Sequence, residues 1–150
     1  MVNKAMQHSV KLIEYNSLEY HQACQLRYRL FFAEHNLPKN VVLDESHANY
    51  YHAAIIQDRV IAYGQLVPHP NRIYQICQMV VEPNYQNQSL GKNILSTLIQ
   101  IAKDRGAVCV TLNARLTAVG FYQKLGFQTY GTEFPSSTTA IPHIKMYKKL

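Results

Sequence analysis

The chain has 150 residues, 47% apolar and 16% charged, a balance that excludes a disordered chain and predicts one folded domain over residues 1–150. Lys and Arg number 15 against 9 Asp and Glu, a net +6 with histidines neutral, which favours anionic partners: nucleic acid, an acidic membrane surface or a phosphorylated small molecule. No apolar run reaches the ~18–20 residues of a membrane span, and residues 1–12 are too polar for a secretory signal. The three cysteines (Cys24, Cys77, Cys109) are widely spaced and form no zinc or redox pair, so free thiols in a reducing, cytoplasmic setting are expected.

Val10–Ile13 reads as a short strand. Asn16 or Ser17 then caps a helix predicted to run to about residue 34, with Leu18, Ala23, Leu26, Leu30 and Phe31 on its apolar face. Leu37-Pro38 ends it, and residues 38–50 read as loop or broken helix. Residues 53–56 and 60–67 flank Gln57-Asp58-Arg59 as a hairpin, whose second strand Pro68 and Pro70 should break. A longer strand follows over 73–82, stopped by Pro83.

The clearest helix spans 89–105, with Leu90, Ile94, Leu95, Leu98, Ile101 and Ala102 as its stripe and Gly106 behind it. A buried strand over 108–113, a short helix over 117–125, and strands over 127–134 and 144–148 complete the chain. The order β-α-β-β-β-α-β-α-β-β predicts a mixed α/β domain.

The chemistry concentrates where the fourth strand meets the long helix, in Gln86-Asn87-Gln88-Ser89-Leu90-Gly91-Lys92-Asn93. A helix N-terminus presents unpaired backbone N–H groups and a positive dipole end. Gly91 lets a ligand approach the backbone and Lys92 adds charge, so this turn is a candidate phosphate cradle. It is neither a Walker A loop, since Gln86 and Asn93 stand where Gly and Ser/Thr are needed, nor a dinucleotide GxGxxG. An ordinary helix start with a solvated lysine would read the same way locally.

That run resembles the acetyl-CoA loop of the GNAT acetyltransferase superfamily, Arg/Gln-x-x-Gly-x-Gly/Ala, through Gln88, Gly91 and, as a departure, Asn93. Downstream, Gly120-Phe121-Tyr122-Gln123-Lys124-Leu125-Gly126-Phe127 resembles the second family signature, F-Y-x-x-x-G-F. Residues 27–35, Leu43-Asp44 and 141–146 are similar to the ElaA-like branch.

The resemblance implies a mostly antiparallel twisted sheet with flanking helices, splayed between its fourth and fifth strands. It implies transfer of the acetyl group of acetyl-CoA to a primary amine by direct attack, with catalysis largely by positioning. Met79, Val80 and Val81 would pair with pantetheine through freed backbone groups, and the N–H groups of residues 86–93 would meet the pyrophosphate. The larger side chain of Asn93 would crowd that pyrophosphate or hydrogen-bond to it. Asn113 is the candidate for the pantetheine amide, with a loop cap as its alternative; Arg115 and Lys124 are candidates for the 3′-phosphate, with surface solvation the favoured reading of both.

By the same resemblance Tyr122 is the candidate general acid, protonating the departing thiolate. Glu34 and His143 lead the candidate bases, ahead of Asp44 and His47, each with a structural role as its alternative. Cys77 would allow an acyl-enzyme, but no base stands beside it in sequence and a packed thiol is favoured.

A non-catalytic acyl-CoA-binding module is the competing reading. Nucleic acid is disfavoured because the basic residues are scattered and no helix-turn-helix or RNP pattern occurs. The seven histidines lack metal-pair spacings, so no metal is expected. Few carboxylates occur in 28–50 and 132–143, the segments expected to wall the acceptor site. A small amine is therefore expected over a polyamine. No membrane partner is expected, and a homodimer is left open.

Overall fold

A computed structural model describes residues 9–150. The expectation about a secretory signal rests largely on residues 1–8, outside the described residues. One seven-stranded sheet organises the chain, in the order β1-β2-β3-β4-β5-β7-β6. Its strands are β1 Val10–Ile13, β2 Tyr51–Gln57, β3 Arg59–His69, β4 Ile73–Val81, β5 Cys109–Arg115, β6 Gln128–Pro135 and β7 Pro142–Lys149. All neighbours are antiparallel except β4 and β5, which run parallel. The helices are α1 Leu18–Arg27, α2 Leu90–Asp104 and α3 Val119–Lys124.

Strand alternation sends side chains to two cores. Ala53 and Ile55 of β2 join the core built with α2, while Ala54 joins Ala23 and Leu26 of α1. The two helices therefore cover opposite faces of the sheet. On α2, Leu90, Ile94, Leu95, Leu98, Ile99 and Ala102 are buried. Ile99 takes the place in the buried stripe expected of Ile101, because it lies one turn beyond Leu95.

Ser17 caps α1, its Oγ accepting from the Tyr20 N–H at 3.1 Å. The predicted continuation to residue 34 occurs, but not as α-helix. The chain widens into a π turn at Tyr28–Phe32 and tightens into a 3₁₀ turn at Ala33–His35. Asn36, at φ 55°, ends it.

The break expected at Pro68 does not occur, and β3 continues to His69. The last β2 partner is Tyr51, opposite Leu66. Beyond that point β3 is an edge on that side, where a missing N–H costs no ladder bond.

Candidate active site

The parallel pairing of β4 with β5 lasts only from Ile73↔Cys109 to Ile76↔Leu112. Beyond it, β4 keeps β3 and β5 keeps β7, so the two strands part into a V. The cause lies in β4. Between Cys77↔Gln65 and Val80↔Tyr63 it carries one residue more than β3, a bulge. Within it, Gln78 stands at φ 57°. Arg27, buried at the end of α1, donates from Nε to Gln78 Oε1 at 3.3 Å and ties the bulge to the helix.

A cavity of about 520 Å³ fills the V. The bulge and Met79 form one wall, and Asn113 and Arg115 of β5 form another. The π turn contributes Phe31 and Phe32, and residues 136–139 with His143 close the far side. Tyr122 reaches it from α3. Among the described residues no Asp or Glu lines it.

Tyr122 is buried, and its ring meets Phe121 at 5.0 Å and Phe127 at 5.8 Å in edge-to-face geometry. Its position is fixed by the end of α3, where the Phe127 N–H donates to the Tyr122 carbonyl at 3.1 Å across Gly126. Gly126 stands at φ 93°, which glycine adopts without strain. No protein group among the described residues hydrogen-bonds the Tyr122 hydroxyl. Burial, and secondarily Cys77, pushes its pKa up to about 12, so it is a protonated donor at neutral pH.

His143 donates from Nδ1 to the Ile141 carbonyl at 2.7 Å and stacks on Phe134. That bond fixes the tautomer and leaves Nε2 as the proton-accepting atom. Glu34 sits elsewhere: it is exposed, outside the cavity lining, with His35 at 3.5 Å.

Asp44 and His47, the other two candidate bases, lie outside the cavity lining and hydrogen-bond within the fold. Asp44 accepts from the Ser46 N–H and hydroxyl, which hold its carboxyl below the usual range. His47 is buried, with Nδ1 at 2.7 Å from the Tyr20 hydroxyl and 3.1 Å from Gln65 Nε2. Burial, then the Arg27 charge, lowers its pKa to about 4. Cys77 lines the cavity, and burial raises its thiol to about 11.

Of the proposed cofactor contacts, Met79 and Asn113 line the cavity, whereas Val80 packs against the α1 core. Val81 leads to the loop at the mouth of the V. There Gln86, Asn87, Gln88 and Ser89 are exposed, as are Lys92 and Asn93 at the start of α2, while Leu90 turns into the core. Ser89 stands at φ 63°, and its side chain does not cap α2. The first N–H groups of α2 are thus left for another acceptor. A Cβ on Gly91 would meet only ordinary contacts at 3.7 Å, from Phe121 and Val81. Packing does not demand glycine at 91, and the space beside its backbone suits a ligand's phosphate.

At the root of this loop Glu82 is buried. Arg29 of the π turn grips it with two bonds of 2.8 and 2.6 Å, and Arg59 lies at 3.5 Å. The sequence offers no spacing rule that finds this clamp, nor the Arg27–Gln78 tie. Both join segments some fifty residues apart. Among the described residues no group of three or more His, Cys, Asp or Glu could hold a metal ion, and no helix is long and apolar enough to cross a membrane.

Residues 15–127 match the model of the acetyltransferase (GNAT) family. The YyaT protein of Bacillus subtilis is 31% identical over 140 residues, covering 87% of this chain and 88% of that protein. The crystal structure of Escherichia coli ElaA shares the fold at a TM-score of 0.79, with 20% identity over 95% of this chain and 100% of that one. An aminoglycoside 6′-N-acetyltransferase complexed with coenzyme A shares it at 0.74, with 18% identity over 93% and 96%. The chain belongs to the acetyltransferase (GNAT) family and is an acyltransferase enzyme.

Proposed function

We propose that this enzyme transfers the acetyl group of acetyl-CoA to a primary amine of a small molecule, in the V between β4 and β5. The observation that carries the reading is the convergence on one cavity of a protonated, unpartnered tyrosine and a histidine with a fixed tautomer. Acetyl-CoA supplies an activated thioester. The backbone of Met79, Val80 and Val81, freed from β5, offers a ladder edge to the pantetheine arm, with Asn113 facing it from β5. The α2 N-terminus and residues 86–93 receive the pyrophosphate.

In this reading His143 takes the proton that the acceptor ammonium must lose, and Tyr122 gives one to the departing sulfur. Glu34, exposed and outside the cavity lining, is the second candidate base, and water is the alternative carrier of that proton. Phe31, Phe32 and Phe134 exclude water around the reacting amine.

The test is thiol release from acetyl-CoA across a panel of small amines, beside a titration of CoA alone. Binding together with acetylated product supports the reading. Saturable CoA binding with no turnover across the panel favours the non-catalytic module.

A further inference from the structure

We propose that the acceptor carries, besides its amine, an anionic oxygen group (a carboxylate or a phosphate) and that Arg115 binds it. This deepens the acetyl-transfer reading and rests on it. Arg115 is the last residue of β5, paired in register with His143, and it lines the cavity. Its guanidinium carbon lies 5.2 Å from the centre of the Phe31 ring on the opposite wall. Stacking uses the face of the guanidinium and leaves its edge donors available. Among the described residues Arg115 forms no ion pair, and it is half-buried.

The remaining polar lining points the same way. Ser136 Oγ already accepts from the Thr138 and Thr139 N–H groups at 3.2 and 3.3 Å, so its own hydroxyl proton is left to donate. Ser137 and Thr138 add hydroxyls to the same wall. With no carboxylate in the lining, a second cationic group on the acceptor would meet Arg115, His143, amides and hydroxyls but no opposite side-chain charge. A carboxylate or phosphate would instead satisfy a guanidinium that is partly withdrawn from water and unpaired.

Matched amines test this: phenylalanine against phenylalaninamide, and phosphoethanolamine against ethanolamine. The expected result is kcat/KM about tenfold or more higher for the anionic member of at least one pair. Which pair shows it separates carboxylate from phosphate. Arg115→Gln should abolish the preference with the KM for acetyl-CoA unchanged, and Arg115→Lys should keep part of it.

Equal rates within both pairs would overturn the proposal. So would an Arg115→Gln variant that keeps the preference but raises the KM for acetyl-CoA, which would assign Arg115 to the cofactor. If nothing turns over, calorimetry of the same pairs with the CoA-loaded protein decides. Preference for an anion that depends on Arg115 upholds the subsite while the transfer reading falls, and equal or absent binding overturns the subsite.

Discussion

Arg27 Nε lies 3.3 Å from Gln78 Oε1, and that bond joins a buried helix end to the residue that bends β4 away from β5. Gln78 is not a residue that favours positive φ, so its conformation depends on surrounding contacts. Arg27→Met removes the tie and also removes a buried charge, whose loss costs little when no ion pair is broken. The expected outcome is near-unchanged stability in urea unfolding with a Kd for CoA raised about tenfold, since a relaxed bulge no longer presents the freed edge. An unchanged Kd would show that the bulge holds itself.

Burial, then the Arg27 charge, lowers His47 to about 4 from an ordinary 6.5, and His52 is lowered by the same two causes. Between those values the unfolded chain binds more protons than the folded one, so stability falls as pH falls from 6.5 to 4. The loss through His47 is on the order of 3 kcal/mol. Urea unfolding at pH 7 and pH 4.5 should show it, and His47→Gln should flatten the slope. The Arg29–Glu82 clamp enters at the acid end of this window, because its contribution is lost as pH falls from the ordinary value of 4.5 toward the lower folded one, and the His47→Gln control separates the two.

Gly64 faces α2 so closely that an added Cβ would stand 2.6 Å from Met79 Sδ and 2.8 Å from Ile94 Cγ2. Gly64→Ala should therefore destabilise by about 1–3 kcal/mol, the usual cost of overpacking a core. Because Met79 must move, CoA affinity should weaken too, which a titration of the variant reads directly.

Cys77 lies in the cavity as a protonated thiol, raised to about 11 by burial. It is a poor nucleophile at neutral pH. Cys77→Ala should keep turnover within a few-fold, and intact mass after acetyl-CoA exposure should show no acetylated enzyme. A trapped acyl adduct at Cys77 would replace direct transfer with a two-step route.

Much of this architecture is written in local pattern. The α2 stripe, the polar turn before it and the Gly126 stop each announce themselves within a dozen residues. What could not be read is set by distant contacts. A glutamine at positive φ has no signature of its own, and neither does the π turn that carries Phe31 and Phe32 into the cavity. His47 stands three residues from Asp44 and 3.9 Å from its carboxylate, but the hydrogen bonds of its ring come from Tyr20 and Gln65, on α1 and β3. In sequence Arg115 is a candidate for the 3′-phosphate by its nearness to the second motif; its place over Phe31 emerges only once β5 and α1's extension face each other.

In the proposed transfer Tyr122 protonates the leaving sulfur. Tyr122→Phe keeps the ring contacts with Phe121 and Phe127 and removes only the hydroxyl. Measured side by side, kcat for the best acceptor should fall about 100-fold or more while the Kd for CoA stays unchanged. An undiminished kcat would contradict the account and remove Tyr122 from the mechanism.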